Sequence, residues 1–175
     1  MDALLQRLRD TAARASVAEF ARQFTAPALA LWLPSDDWGG FNTSVRSFQD
    51  IITADPDAFD EEGDGGLAVR FVEKSDRNPY ADRISLGRAA SCDMVVRHPS
   101  VSKLHAHFLR ADPSGSSGWS VRDANSKNGV EVNKVRVRST QGVPLRFGDT
   151  LKIGILEGRF VDGYGLYTIV RRNAL

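Results

Sequence analysis

The sequence predicts an all-β sandwich of two twisted sheets, led by an N-terminal helical extension. Three observations carry that expectation. Residues 67–72 alternate on a two-residue period, as a half-buried strand does. After them, short runs rich in β-branched and aromatic residues recur at close spacing between turn signals, which is the pattern of a sandwich or barrel. Before residue 60 the opening of the chain has helical spacing, and no sustained helical period follows.

Taken in order, residues 2–24 read as helix, with Asp2 placed to cap it. Leu5, Leu8, Ala12 and Ala15 fall on one face, and Arg7 and Arg14 lie roughly opposite. Phe20 and Phe24 keep the i,i+4 spacing on a drifted stripe, which predicts a bend near Ser16. Pro27 and Pro34 bracket a short apolar stretch containing Trp32. Asp36-Asp37-Trp38-Gly39-Gly40 reads as a turn, and 47–53 as a short helix. Residues 55–66 hold six carboxylates and three glycines with few bulky apolar side chains, a linker composition. The expected division is a helical extension over 1–54, an acidic linker over 55–66 and a β domain over 67–175.

Further strands are expected at 83–86, 94–96, 105–111, 119–122, 130–132, 150–153 and 167–170. Between them lie Asp76-Arg77-Asn78-Pro79, Asp112-Pro113-Ser114-Gly115, Asn128-Gly129, Phe147-Gly148-Asp149 and Asp162-Gly163, all turn compositions. No internal repeat is visible.

Composition narrows the class. The 175 residues are 42% hydrophobic and 26% charged, ordinary for a globular protein. The single cysteine, Cys92, cannot form an internal disulfide, which fits a reducing compartment. The apolar run 26–33 is too short to cross a bilayer, and Arg7, Arg9, Arg14 and Arg22 interrupt any secretory core. A cytoplasmic protein with no membrane association is expected. The net charge of +1 hides an asymmetry. Residues 1–66 hold 5 Lys and Arg against 12 Asp and Glu, whereas 67–175 hold 18 against 10. A basic half suits an anionic partner, and the acidic leader could shield it.

The segment from Gly87 to Asn133 concentrates the chemistry. Arg88 follows an expected strand, and a planar guanidinium there can clamp two phosphate oxygens. Ser102 offers a short hydroxyl donor and Lys103 an ammonium or a backbone N–H. Gly129 permits a left-handed backbone or a close approach. Asn128-Gly129 also reads as a hairpin turn, and spacing alone does not choose.

Gly87-Arg88, Ser102-x-x-His105 and Asp123-x-x-Ser126-x-Asn128-Gly129-x-x-x-Asn133 resemble, in order and spacing, the signature of the forkhead-associated (FHA) domain. The resemblance covers about residues 67–171. It implies a β-sandwich that binds phosphothreonine peptides through loops at one end, without catalysis and without cofactor or metal. It implies that Arg88, Ser102 and Lys103 contact phosphate, with Lys127 where the family usually has a small hydroxyl residue. It gives Asn128 the peptide backbone, and it makes Gly87, His105, Asp123 and Gly129 support of the site. Asn125 replaces a usual glycine, and asparagine tolerates the left-handed region better than most residues. Residue preference beside the phosphothreonine is assigned to the 97–101 loop, with Arg97 and Ser100. The implied partner is a phosphothreonine-containing protein, such as a Ser/Thr kinase or its substrate.

Four other readings compete. Ser102, His105 and Asp123 are the ingredients of a hydrolase triad, but no nucleophile elbow or oxyanion motif accompanies them. His98, His105 and His107 lack a carboxylate or cysteine partner suited to zinc. The basic residues are scattered and no aromatic platform marks a nucleic-acid surface. The runner-up is the same fold binding a protein partner independently of phosphorylation, a reading to which Lys127 gives weight.

Overall fold

The computed structural model describes residues 3–33, 66–110, 118–138 and 142–172. The chain opens with two helices, α1 (Ala3–Arg14) and α2 (Val17–Gln23). They are split at Ser16, near the expected bend. Ser16 leaves helical geometry to cap α2: its Oγ accepts from the Glu19 N–H at 3.3 Å, and the Glu19 carboxylate accepts from the Ser16 N–H at 2.8 Å. This reciprocal box satisfies two amides that a helix start would leave unpaired.

Eleven strands follow among the described residues: β1 (Ala28–Trp32), β2 (Leu67–Phe71), β3 (Ile84–Gly87), β4 (Met94–Val95), β5 (Ala106–Arg110), β6 (Trp119–Asp123), β7 (Val130–Val132), β8 (Val135–Arg136), β9 (Val143–Leu145), β10 (Thr150–Ile153) and β11 (Leu156–Val161). Helix α3 (Gly163–Arg172) closes the described chain. One sheet has the order β2-β1-β11-β10-β7-β8, and the other β4-β3-β5-β6-β9. Every pairing is antiparallel except β3 with β4. The two sheets form the expected sandwich. Its core is built from alternate residues of both sheets, including Leu31, Leu86, Phe108, Val121, Ile153 and Phe160. Along one edge Arg70 Nε donates to the Val95 carbonyl at 2.9 Å, joining β2 to β4 across the layers.

The first sheet has a second apolar face. Ala28, Ala30, Val69 and Val161 point away from the sandwich core and meet Leu8, Phe20, Leu166 and Val170 of the three helices. Strand β1 is therefore buried on both sides, which explains its unbroken apolar reading.

Several elements differ from the sequence expectation. Residues 28–32, inside the expected helical extension, form a strand between β2 and β11. Residues 167–170, expected as strand, belong to α3. Tyr, Thr, Ile and Val favour strands, but Leu166 and Val170 stand four apart and bury together against the first sheet. Asp162 caps this helix by accepting from the Gly165 N–H at 2.9 Å. Strands β8, β9 and β11 were not anticipated. Asp2, the 36–40 turn, the 47–53 helix, most of the 55–66 linker and the 112–115 turn lie outside the described residues. Among the described residues, no helix is long and apolar enough to cross a membrane.

Candidate functional site

The loops β3–β4, β4–β5 and β6–β7 meet at one end of the sandwich, beside the β10–β11 hairpin. Gly87 begins the assembly. A Cβ there would lie 2.2 Å from the Lys103 carbonyl oxygen, so only glycine lets β3 press against the β4–β5 loop. Beyond it, the Arg88 N–H donates to Ser102 O at 2.9 Å and the Ala89 N–H to Lys103 O at 3.1 Å. Cys92 Sγ also donates to Lys103 O, at 3.3 Å, and burial pushes its thiol pKa up. Arg88 Nε donates to Val101 O at 3.2 Å, which fixes one edge of the guanidinium. Its two terminal nitrogens make no hydrogen bond among the described residues.

His105 is fully buried and ties two loops together. The Ser102 N–H donates to its Nδ1 at 2.9 Å, and its Nε2 lies 3.0 Å from Gly129 O. An amide can only donate, so Nδ1 is the acceptor and Nε2 carries the proton. Burial lowers the His105 pKa, against the opposing pull of the Gly129 carbonyl and Asp123. The ring is a neutral brace.

The β6–β7 loop folds on its own side chains. Asp123 Oδ1 accepts from the Ser126 N–H at 3.2 Å, and Ser126 Oγ accepts from the Gly129 N–H at 2.8 Å. Asn125 takes φ 63°, the left-handed region that favours glycine or asparagine, and Gly129 takes φ 80°. The loop then docks on its neighbour: the Lys127 N–H donates to Ser102 Oγ at 3.0 Å, and Asn128 Nδ2 donates to Ser100 O at 2.7 Å. Arg88, Ser102, Lys127 and Asn128 thus belong to one hydrogen-bonded surface, with Lys103 exposed beside Ser102. This surface presents guanidinium, hydroxyl and ammonium donors, which suits an oxyanion with several acceptor atoms.

The structure bears on two further sequence readings. Ser100 was given a part in residue preference, but its hydroxyl is held inside the loop. Ser100 Oγ lies 2.7 Å from His98 Nδ1 and accepts from the Ile155 N–H at 3.2 Å. The Ser100 N–H also donates to His98 Nδ1, at 3.1 Å, so His98 is neutral on that nitrogen. Burial lowers the His98 pKa to about 4. Arg97 remains in the same loop, half-buried. The second concerns the triad ingredients, which the sequence already argued against. His105 contacts the Ser102 amide rather than its hydroxyl, and the Asp123 carboxylate engages Ser126. No proton relay links the three.

Two contributors went unread in the sequence. Asp93, its side chain fully enclosed, gathers the β2–β3 connection onto β3. Its carboxylate accepts from the Ser75 N–H at 2.8 Å, Asn78 Nδ2 at 2.6 Å, the Ser85 N–H at 2.7 Å and Lys74 Nζ at 2.9 Å. Burial raises the Asp93 pKa, but these donors outweigh it and hold it well below the usual carboxylate range. The signal was a lone carboxylate between Cys92 and Met94, at the mouth of a short apolar strand. Arg136, on β8, is the other. Its guanidinium lies against Gly129, where an added Cβ would meet Arg136 Cζ at 2.1 Å.

Fold and loops together define a β-sandwich with a polar, donor-rich surface at one end of the sheets. Residues 84–154 match the family model of the FHA domain. Human kanadaptin is 33% identical over 85 residues, covering 41% of this chain and 12% of that protein. The FHA domain-containing protein PS1 of Arabidopsis thaliana is 32% identical over 69 residues, covering 39% of this chain and 4% of its own length. Among solved structures, Mycobacterium tuberculosis EmbR in complex with a low-affinity phosphopeptide is 30% identical. That match covers 47% of this chain and 20% of EmbR, with a TM-score of 0.39. The matched stretches are small parts of these longer proteins.

Proposed function

We propose that the chain is a non-catalytic adaptor that binds phosphothreonine-containing proteins in Ser/Thr kinase signalling. Arg88, Ser102, Lys103 and Lys127 hold the phosphate, and Asn128 holds the peptide backbone beside it. The bond from the Lys127 N–H to Ser102 Oγ carries this reading, because it joins two of the three loops that supply the donors. The Arg88 guanidinium, tethered at Nε alone, keeps its terminal nitrogens for two phosphate oxygens. A phosphate of charge about −1.5 to −2 gains most from such fixed donors. Gly87, His105, Asp123 and Gly129 set the loop geometry without touching ligand.

The test is a calorimetric titration of the full chain with a phosphothreonine peptide and its unphosphorylated twin. Arg88→Ala should weaken phosphopeptide binding at least tenfold, as loss of charged hydrogen bonds worth about 1.5–3 kcal/mol predicts. Undiminished affinity in that variant would sink the assignment. Equal affinity of the wild type for the two peptides would instead favour binding independent of phosphorylation.

A further inference from the structure

Arg136 stands opposite Glu131 in the β7–β8 pairing. A cross-strand ion pair is the ordinary outcome there, yet none forms. The guanidinium is turned toward the β6–β7 loop, and the conformation of Gly129 makes room for it. An added Cβ at Gly129 would stand 2.1 Å from both Cζ and Nη2 of Arg136 and 2.4 Å from Nε, so the planar group lies against the glycine backbone. Gly129 is therefore small for two reasons, its φ of 80° and the arginine beside it. Arg136 is exposed, and its guanidinium has no ion-pair partner among the described residues. Its neighbour across Gly129 is Asn128, the residue assigned to the peptide backbone.

We infer that Arg136 is a specificity-determining residue that selects an acidic side chain flanking the phosphothreonine in the bound peptide. This rests on the proposed phosphopeptide site and assigns it a peptide class. The placement follows from chemistry. A peptide held by Asn128 runs past Gly129, and its side chains on that side meet a guanidinium offering several N–H donors. A carboxylate matches that fork in charge and geometry, whereas lysine is repelled and alanine is indifferent. Specificity then comes from attraction to one residue class and repulsion of another. The Ser100 side chain of the 97–101 loop is engaged by His98 and Ile155 and offers no comparable fork.

The experiment uses the full chain and a phosphothreonine peptide whose flanking positions carry, one at a time, aspartate, alanine or lysine. At one flanking position the wild type should favour aspartate over alanine by about threefold to fivefold, the range of a partly exposed ion pair. Arg136→Ala should remove that preference, and Arg136→Glu should shift preference to lysine. An acidic preference that survives Arg136→Ala overturns the inference. So does phosphate-dependent binding with no preference at any position. If phosphorylated and unphosphorylated peptides bind alike, the proposed function fails and this inference falls with it.

Discussion

Single side chains decide the geometry of the recognition end, and Asp93 is the clearest case. Its carboxylate serves donors from Lys74, Ser75, Asn78 and Ser85, of which Lys74 is exposed and the other three bonds are partly buried. Asp93→Ala should cost about 3 kcal/mol or more in urea unfolding at neutral pH, since each stranded buried donor costs about 1–3 kcal/mol. A loss under 1 kcal/mol would show that the knot is dispensable. The histidines set the pH response. His98 and His105 both have folded pKa values below their ordinary 6.5, so their contribution is complete above that value. Stability should decline as pH falls from 6.5 toward about 4, where His98 takes up its proton. An imidazole NMR titration of His98 with a midpoint near 6.5 would contradict this. Arg88, Ser102 and Asn128 were legible in the sequence, because each sits at a fixed offset from a glycine or histidine whose spacing marks the loops. Asp93 and Arg136 were not, since their partners come from elements far away in the chain.

Strands with clean alternation, such as Trp119–Asp123, could be read directly. β11 could not, because Gly158 interrupts its inward row between Leu156 and Phe160. The fold requires that gap: a Cβ at Gly158 would lie 2.5 Å from the Ala30 carbonyl oxygen of β1. α3 misled for a related reason. Its helical face is set by packing on α2, and Gly163 permits the approach, with Phe24 O only 2.5 Å from where a Cβ would stand. Gly163→Ala should therefore destabilise despite alanine's better helix propensity, by about 1–3 kcal/mol, as overpacking does. A thermal melt showing a gain instead would mean that α2 and α3 separate easily.

At the scale of the molecule, the helical layer and the sandwich share β1. Leu29 and Leu31 enter the core between the sheets, while Ala28 and Ala30 meet the helices. Removing residues 1–33 would strip one sheet of a central strand and bare Val69, Val161 and Leu166. The shortened chain should lose its cooperative unfolding transition by circular dichroism. An unchanged midpoint would show that the chain from β2 onward folds alone. The sequence boundary near Gly66 was drawn from composition, which senses an acidic stretch but not long-range pairing across it. The charge step across that boundary was visible in composition, whereas the central place of β1 in the sheet was not.

That pairing has a consequence for how the protein comes into being. Ala28 finds its partner in Val161, at nearly the opposite end of the chain. During synthesis the first strand must wait, apolar on both faces, until residues 156–161 leave the ribosome. Closure of so large a loop delays folding. The helices α1 and α2 can form early from local contacts, but β1 completes its place in the sheet only after translation of β11. Premature termination before residue 156 would leave an apolar strand with one neighbour missing, a species prone to aggregate.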